Sequence, residues 1–235
     1  MQAELEALAA ALERPARPVL ALIGGAKVST KLDLLRFIIG KVDALAIGGA
    51  MANTLLFAQG VDVGRSLCER DMAEEGRRLL DLAVERRCHV ILPEDAVVAP
   101  ALKPSPETRI VAIDQVPAEG MILDIGPRTI ARVVAALAEA KTLVWNGPLG
   151  AFELEPFDQG TTEVAEAAAE LTAAGKLVSI AGGGDTLAAL NAEGAAGRFT
   201  YTSTAGGAFL EWLEGKTLPG VEVLKGAPTP APARG

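Results

Sequence analysis

Five short apolar runs in this sequence end in glycine, and the glycines fall where a strand would give way to a helix. They are Gly24–Gly25, Gly48–Gly49, Gly147, Gly182–Gly184 and Gly206–Gly207. Near-continuous apolar strands that alternate with helices are typical of a parallel sheet covered on both faces. The sequence therefore predicts an α/β fold: a doubly wound, Rossmann-like sheet of six parallel strands in a three-layer α/β/α arrangement.

The apolar runs and the helical periodicity place the individual elements. Strands are expected at 18–25, 43–49, 87–93, 121–126, 142–148, 176–186 and 199–208, with a short edge strand at 109–113. Helices are expected at about 30–39, 51–58 and 71–86, and after Gly126, Asp158 and Gly184. The start after Gly126 is strongly marked, because proline is favoured at the first helical position and Pro127 stands there.

No linker long enough to separate two domains interrupts this pattern. Residues 1–16 carry leucines at helical spacing and predict a helix that precedes the sheet. Residues 17–226 are expected to form a single domain. The proline-rich residues 227–235 predict a loose tail.

Composition excludes several classes of protein. Half of the 235 residues are hydrophobic, which excludes wholesale disorder. The net charge of -8 gives no general basic surface for nucleic acid or for an anionic membrane. No apolar run approaches the roughly 20 residues that a membrane span requires. Any phosphate that the protein binds must therefore be held by a few local groups.

The rare residues narrow the chemistry further. His89 is the one histidine, so a metal site built from several histidines is impossible. Cys68 and Cys88 form neither a CxxC motif nor a disulfide framework. This cysteine usage favours a reducing cytosol. There is also no GxSxG motif that would indicate a hydrolase of that kind.

The glycine turns indicate where a ligand would bind. Open α/β sheets bind ligands in the crevice at the carboxyl ends of their strands. Glycine lets a backbone approach a ligand closely, and a helix N-terminus offers free N–H groups to an anion. A single glycine turn of this kind is explained by the need for a tight connection between a strand and the following helix. Five on one expected rim favour a phosphate or nucleotide site.

Two lysines follow the first glycine turn, in GGAKVSTK. Lys27 and Lys31 are four residues apart, so they point the same way if a helix begins there. An anion would neutralise the pair, whereas two solvated lysines at a helix start oppose the helix dipole. The motif is not the GxxxxGK[ST] phosphate loop, and no stretch gives GxGxxG with the acid expected for NAD.

Two further loops carry polar candidates. In GGGDT, Asp185 is either a helix cap or a ligand of Mg²⁺, which on nucleotides is held by one or two carboxylates and by phosphate oxygens. In WNGPLGAFE, Asn146 is compatible with an ordinary turn and Glu153 with an ordinary surface acid. Near a nucleotide, Glu153 could accept hydrogen bonds from ribose hydroxyls.

The order of the motifs resembles the C-terminal half of phosphoglycerate kinase, from about Leu5 to Gly226. The motifs are GGAKVSTK, IGGAMANTLL, ILPEDAVVA, LDIGPRT, VWNGPLGAFE, AGGGDT and STAGGAFLEWLEGK. That family is a two-domain glycolytic enzyme that moves a phosphoryl group between 1,3-bisphosphoglycerate and MgADP. Its C-terminal domain binds the nucleotide, and its N-terminal domain binds the phosphoglycerate through a basic patch.

The resemblance implies specific site residues. Lys27, Lys31, Gly183 and Gly206 match positions that act on the transferred phosphoryl group, and Asp185 matches the Mg²⁺ ligand. Gly48 and Gly49 match glycines that line the adenine slot, and Glu153 matches the acid that binds ribose. The implied nucleotide-binding set is Gly25, Ala26, Lys27, Lys31, Gly48, Gly49, Asn146, Glu153, Gly182, Gly183, Gly184, Asp185, Thr186, Gly206 and Gly207.

The sequence departs from the family pattern at three positions. Ile122 stands where many members have a glycine beside the base, Ala205 replaces the first glycine of STGGGA, and Thr30 stands where some members have Asp. None of these changes removes a phosphate ligand. The change at Ile122 implies different packing around adenine.

The resemblance covers only the nucleotide half of the family, and the phosphoglycerate-binding N-terminal domain is absent from these residues. We therefore expect MgADP or MgATP to bind, with little or no phosphoryl transfer by this chain alone and with 3-phosphoglycerate or 1,3-bisphosphoglycerate bound only together with an N-terminal domain. The resemblance further implies a cytoplasmic monomer that binds neither nucleic acid nor membranes. The alternative is a non-catalytic, regulatory nucleotide-binding module. An NAD-dependent oxidoreductase has little support.

Overall fold

A computed structural model describes residues 15–105 and 107–203 of the chain. Most of the helix expected over 1–16, the tail at 227–235, and the predicted site residues Gly206 and Gly207 lie outside these ranges. No helix in the two described ranges combines the length and the apolar character needed to cross a lipid bilayer.

Strands and helices alternate through most of the described residues. The strands are β1 (Val19–Ile23), β2 (Ala44–Ile47), β3 (His89–Ile91), β4 (Asp95–Ala99), β5 (Arg109–Ala112), β6 (Met121–Ile125), β7 (Thr142–Asn146), β8 (Val178–Gly182) and β9 (Tyr201–Ser203). The α-helices are α1 (Leu32–Ile39), α2 (Gly49–Ala58), α3 (Ala73–Glu85), α4 (Pro127–Glu139), α5 (Gln159–Ala173) and α6 (Gly184–Ala192).

The main sheet has six strands in the order β3-β2-β1-β7-β8-β9, and all neighbours in it are parallel. The predicted six-stranded parallel sheet is confirmed. From β1 the chain builds outward to β2 and β3, and from β7 it builds outward to β8 and β9. The strand order therefore reverses between β1 and β7, and the crevice at such a reversal is where open α/β sheets bind ligands.

Helices cover both faces of this sheet, as the alternation of side chains along β1 shows. Val19, Ala21 and Ile23 pack into a core with α1, α2 and α3. Leu20 and Leu22 point the other way, into a core with α4, α5 and α6. All five of these β1 side chains are buried. The three-layer arrangement is therefore the one that the continuous apolar strand predicts.

A second, antiparallel sheet in the order β5-β4-β6 corrects one expectation from the sequence. The segment 121–126 was expected in the parallel sheet, but β6 pairs antiparallel with β4. The expected edge strand near 109–113 exists as β5, at the edge of this second sheet. A buried strand carries an apolar run whether its partners are parallel or antiparallel, so the run in MILDI did not identify the sheet to which it belongs.

The predicted helices lie close to their expected positions. Gly126 is the N-cap of α4 and Pro127 its first residue, as the Gly-Pro pair predicted. The helix expected from about residue 30 begins as a short 3₁₀ turn at Ser29–Lys31 and continues as α1. This delayed start determines how the two lysines of the motif are placed.

The close contact between the turns after β1 and β7 gives a test of the fold. A Cβ added to Gly24 would lie 1.8 Å from the main-chain oxygen of Pro148. The Gly24→Ala variant should therefore lose about 2 to 3 kcal/mol of unfolding free energy, because two backbone segments would have to separate. Urea denaturation measures this loss.

The control for that substitution is Gly197→Ala, since a Cβ at Gly197 meets nothing within 4 Å. Its unfolding free energy should stay within about 1 kcal/mol of the parent chain. Equal stabilities for the two variants would contradict the proposed close contact.

Candidate functional site

The candidate site lies where the main sheet reverses its strand order. Ile23 at the end of β1 is paired with Asn146 at the end of β7, and the Gly24 N–H donates to the Asn146 main-chain oxygen at 2.9 Å. Beyond these residues, Gly147 turns the chain with a φ of +96°. The glycine turns after β1 and β7, which the sequence placed on one rim, are thus brought together from distant parts of the chain.

Lys31 turns into this crevice. Its Nζ donates to the Gly24 main-chain oxygen at 2.7 Å and to Asn146 Oδ1 at 2.6 Å. Burial lowers the pKa of Lys31 to about 8, and the negative charge of Asp185 acts in the opposite direction. The ammonium group is therefore positioned by neutral acceptors, which leave its positive charge available to an anionic ligand.

Lys27 is placed differently from Lys31. It precedes the 3₁₀ turn that leads into α1, and its side chain is exposed. The Thr30 hydroxyl donates to the Lys27 main-chain oxygen at 3.0 Å. The two lysines are therefore not on one helical face, because the helical turn starts after Lys27. Lys31 belongs to the partly buried network of the crevice, whereas the Lys27 side chain is exposed.

Asn146 connects three elements at this point. The side chain is buried, its Oδ1 accepts from Lys31, and its Nδ2 donates to the Gly182 main-chain oxygen at 2.8 Å. Thr186 extends the network, since its Oγ1 accepts the Gly147 N–H at 2.6 Å and donates to the Gly182 oxygen at 2.9 Å. Asn146 and Thr186, both predicted site residues, thus hold the glycine turns after β7 and β8 at a fixed separation.

The turn at Gly182–Gly184 leads directly into α6. Gly183 is the N-cap, with a φ of +99°, and an added Cβ would lie 2.7 Å from Asn146 Nδ2. Among the residues that the structure describes, no side chain makes a capping hydrogen bond to this end of α6. The helix therefore presents its first N–H groups to whatever occupies the crevice, which is the arrangement that binds phosphate.

Asp185 is exposed in the first turn of α6 and makes no capping hydrogen bond there. The capping role that the sequence left open for it is thus not used. The described residues contain no group of three or more His, Cys, Asp or Glu side chains that could hold a metal ion by themselves. One exposed carboxylate beside a glycine turn at a helix N-terminus fits Mg²⁺ that is bound mainly through nucleotide phosphates and water.

A cavity of about 440 Å³ adjoins the Lys31 network. Mostly apolar residues line it, together with Gly25, Ala26, Gly49, Glu153 and Asp185 from the predicted set. It lies between the main-sheet turns and strand β6 of the second sheet, and Ile122 forms part of that wall. A volume of this order accommodates a small organic ligand.

Gly48 does not line the cavity but shapes one side of it. A Cβ on Gly48 would lie 2.7 Å from the Leu149 Cα, and the Gly49 N–H donates to the Leu149 oxygen at 2.8 Å. Gly49 has a φ of +65°. These glycines allow the start of α2 to pack against the loop after β7.

Two polar residues of the cavity wall, Asp124 and Asn53, were missed by the sequence reasoning. Asp124 is buried, and its oxygens accept the Ile125 N–H at 2.9 Å and the Gly160 N–H at 2.7 Å. Burial raises the pKa of Asp124 to about 7, the two N–H donors oppose this, and the charges of Asp158 and Glu163 add to it. One signal for Asp124 was available in the sequence, since it is an acidic residue within the apolar run MILDI. Asn53 is the second such residue, and its sequence context of alternating small and apolar residues gave no signal.

Comparison with known proteins identifies the family. The sequence model for phosphoglycerate kinase matches residues 1–216. The chain belongs to the phosphoglycerate kinase family. The phosphoglycerate kinase of Methylorubrum extorquens is 62% identical over 225 residues, which are 96% of this chain and 56% of that protein. The phosphoglycerate kinase of Bradyrhizobium diazoefficiens is 60% identical over 225 residues, which are again 96% of this chain and 56% of that protein.

Solved structures of phosphoglycerate kinases share the fold. The structure from Coxiella burnetii matches with a TM-score of 0.90 and 46% identity, over 95% of this chain and 57% of that one. The structure from Pyrococcus horikoshii matches with a TM-score of 0.72 and 30% identity, over 96% and 56%. The chain thus spans a little more than half the length of these phosphoglycerate kinases.

The buried carboxyl of Asp124 predicts a pH-dependent stability. A carboxyl whose pKa is raised by folding stabilises the folded state below its unfolded pKa, and this stabilisation is lost as the pH rises towards about 7. Asn cannot ionise, so the stability of Asp124→Asn relative to the parent chain should rise by about 2 to 3 kcal/mol between pH 5 and pH 8. Urea denaturation at the two pH values measures this change.

The matched control is Asp81→Asn, on the exposed side of α3, which also removes one negative charge. If both variants change equally with pH relative to the parent chain, Asp124 is not the source of the effect.

Proposed function

We propose that this chain is the nucleotide-binding part of a phosphoglycerate kinase, which transfers a phosphoryl group between ATP and 3-phosphoglycerate in glycolysis. The observation that carries the proposal is the Lys31–Asn146–Gly182 network beside an apolar cavity at the reversal of strand order. A partly buried ammonium group, an uncapped helix N-terminus and a cavity suit the phosphates and the base of MgADP or MgATP. A cytoplasmic location belongs to the same proposal.

The geometry suggests a role for each part. The cavity takes adenine, with Gly25, Ala26, Gly48 and Gly49 at its edge and Glu153 within reach of the ribose. The phosphates are held by charge and by main-chain N–H groups at the turns. The phosphate-binding residues are Lys27, Lys31, Asn146, Gly182, Gly183, Gly184 and Thr186, and we propose Gly206 and Gly207 as further members from the resemblance alone.

Phosphoryl transfer needs little covalent participation from protein groups, because the reaction depends on positioning and on neutralisation of charge. Lys31 supplies a positive charge held in place by Gly24 and Asn146. The N-terminus of α6 adds N–H donors whose orientation is fixed before the ligand arrives. Mg²⁺, held through Asp185, would neutralise further phosphate charge when bound.

Turnover requires more than these groups. The acceptor must be oriented in line with the nucleotide, and orientation can contribute roughly 7–11 kcal/mol towards lowering a barrier. In the family resemblance the acceptor is bound by an N-terminal domain, and this chain spans a little more than half the length of its relatives. We therefore propose nucleotide binding without substantial turnover by these 235 residues alone.

Calorimetry and a coupled kinase assay test this proposal together. MgADP should bind to the chain, and Asp185→Asn should weaken binding in the presence of Mg²⁺ more than in its absence. Turnover of ATP and 3-phosphoglycerate should be negligible alone and should rise when an N-terminal domain of a family member is added. Binding without any restored turnover would favour a non-catalytic module, and absence of nucleotide binding would contradict the proposal.

The lowered pKa of Lys31 predicts how nucleotide affinity changes with pH. Lys31 is mostly charged at pH 7.5 and mostly neutral at pH 9, because its pKa is about 8. ADP affinity should therefore fall about fivefold to tenfold over this range as the ammonium group is lost. Calorimetry at the two pH values measures this fall.

Two lysine variants separate the contribution of Lys31 to this pH dependence from that of Lys27. Lys31→Met should bind ADP weakly and without this dependence on pH, whereas Lys27→Met should bind more weakly but keep it. The same pH dependence in Lys31→Met would show that another group is responsible.

A further inference from the structure

Glu69 holds the turn that lies between the two lysines of the GGAKVSTK motif. Its Oε2 accepts the Ser29 N–H at 3.0 Å, and its Oε1 accepts the Ser29 hydroxyl. Ser29 is the first residue of the 3₁₀ turn that ends at Lys31. The first N–H groups of a helical turn have no partner within it, and the residue before this turn is a valine, which cannot cap it. Glu69 therefore supplies the missing acceptor from a segment 40 residues away.

The main chain of Glu69 is itself anchored to α2. Its N–H donates to Thr54 Oγ1 at 3.0 Å. Thr54 is fully buried, and its hydroxyl donates to the Ala50 main-chain oxygen at 3.2 Å. Glu69 thus connects the lysine motif to a buried helix rather than to a free loop.

Lys27 and Lys31 depend on this turn to different degrees. The Lys31 ammonium group has two acceptors of its own in the crevice. The Lys27 side chain is exposed, and its ammonium group makes no hydrogen bond or ion pair with the residues that the structure describes. The position of Lys27 is therefore set by the main chain that follows it. There Val28 is buried in the core and Ser29 is held by Glu69.

The charges of Glu69 and Lys27 support the same arrangement. Burial acts to raise the pKa of Glu69, but the hydrogen bonds from Ser29 and Val28 and the charge of Lys27 lower it below its usual value. Glu69 is therefore ionised at neutral pH. An ionised carboxylate accepts stronger hydrogen bonds than a neutral group does, so the turn is firmly held.

We propose that Glu69 is a positioning residue for Lys27, because it fixes the turn from which the Lys27 side chain reaches the phosphates of the nucleotide. This inference rests on the proposed nucleotide function. In this role Glu69 acts through Ser29 and contacts no phosphate. A turn that is fixed before the ligand arrives reduces the freedom that Lys27 loses on binding, and this loss changes affinity several-fold.

The hydrogen bonds of Glu69 and its charge have opposite effects on an anionic ligand. A carboxylate beside the proposed phosphate site repels phosphate, so removal of its charge alone should strengthen nucleotide binding. Loss of the hydrogen bonds to Ser29 should weaken nucleotide binding. The sign of the change in affinity therefore separates positioning from simple electrostatics.

Glu69→Met and Glu69→Gln form a matched pair for this test, since both remove one negative charge and retain a similar size. The amide of Gln can still accept the Ser29 N–H and donate to the Ser29 hydroxyl, whereas Met offers only a weak sulfur acceptor. Calorimetry should show that Glu69→Met binds MgADP about fivefold more weakly than the parent chain, and that Glu69→Gln stays within about twofold of it.

The loss in Glu69→Met should also depend on Lys27. In a chain that already carries Lys27→Met, adding Glu69→Met should change the affinity for MgADP by less than about twofold, because the side chain that the turn positions is gone. General loosening of the fold would weaken binding equally with and without Lys27.

Ser29→Ala answers the question if Glu69→Met does not fold, which circular dichroism would reveal. It removes one of the two hydrogen bonds and should weaken MgADP binding about threefold when Lys27 is present, and not in Lys27→Met. Equal affinities of Glu69→Met and Glu69→Gln, no loss in Ser29→Ala, or a loss that persists in Lys27→Met would overturn the role of Glu69 and leave the nucleotide function standing. Absence of MgADP binding by the parent chain would overturn both.

Discussion

The Asn146 side chain is the interaction on which the candidate site depends. It is a neutral amide, buried at the end of β7, that accepts from Lys31 and donates to Gly182. One group thereby fixes the position of a positive charge relative to the glycine turn at Gly182–Gly184. A carboxylate in its place would neutralise Lys31, and an apolar side chain would leave Lys31 with the Gly24 oxygen alone and Gly182 with the Thr186 hydroxyl alone.

Backbone contacts make this arrangement possible. The turns after β1 and β7 touch through Gly24 and Pro148, and the start of α2 touches the loop after β7 through Gly48 and Leu149. Side chains at these glycines would push the turns apart. The carboxyl edge of the sheet is therefore tightly packed at these turns and open at the cavity beside them.

Much of this architecture was predictable from local sequence. Glycine at the ends of apolar runs identified the strands and the rim, and Gly126 with Pro127 identified the start of α4. The antiparallel pairing of β6 with β4 was not predictable, because the apolar run in β6 does not specify its neighbours. β4 itself was missed, although four of its five residues are apolar and all five are buried.

The candidate site, like the fold, was only partly predictable from the sequence. The residue types of the turns were identified from sequence, but the inward orientation of Lys31 depends on Asn146, which is 115 residues away. The hydrogen bonds from Ser29 to Glu69 and the raised pKa of Asp124 both result from contacts with other segments of the chain. Such features arise only when the fold is complete, so no local pattern could have revealed them.

The position of the cavity has a consequence for stability as well as for recognition. One wall comes from the turns of the parallel sheet and the other from β6 of the antiparallel sheet, and the two sheets share no ladder of hydrogen bonds in the described residues. A ligand that fills the cavity buries surface of both. Its binding free energy then adds to the attachment of one sheet to the other, because a ligand stabilises the arrangement to which it binds. Occupancy of the cavity thus joins two parts of the domain that the backbone leaves as separate sheets.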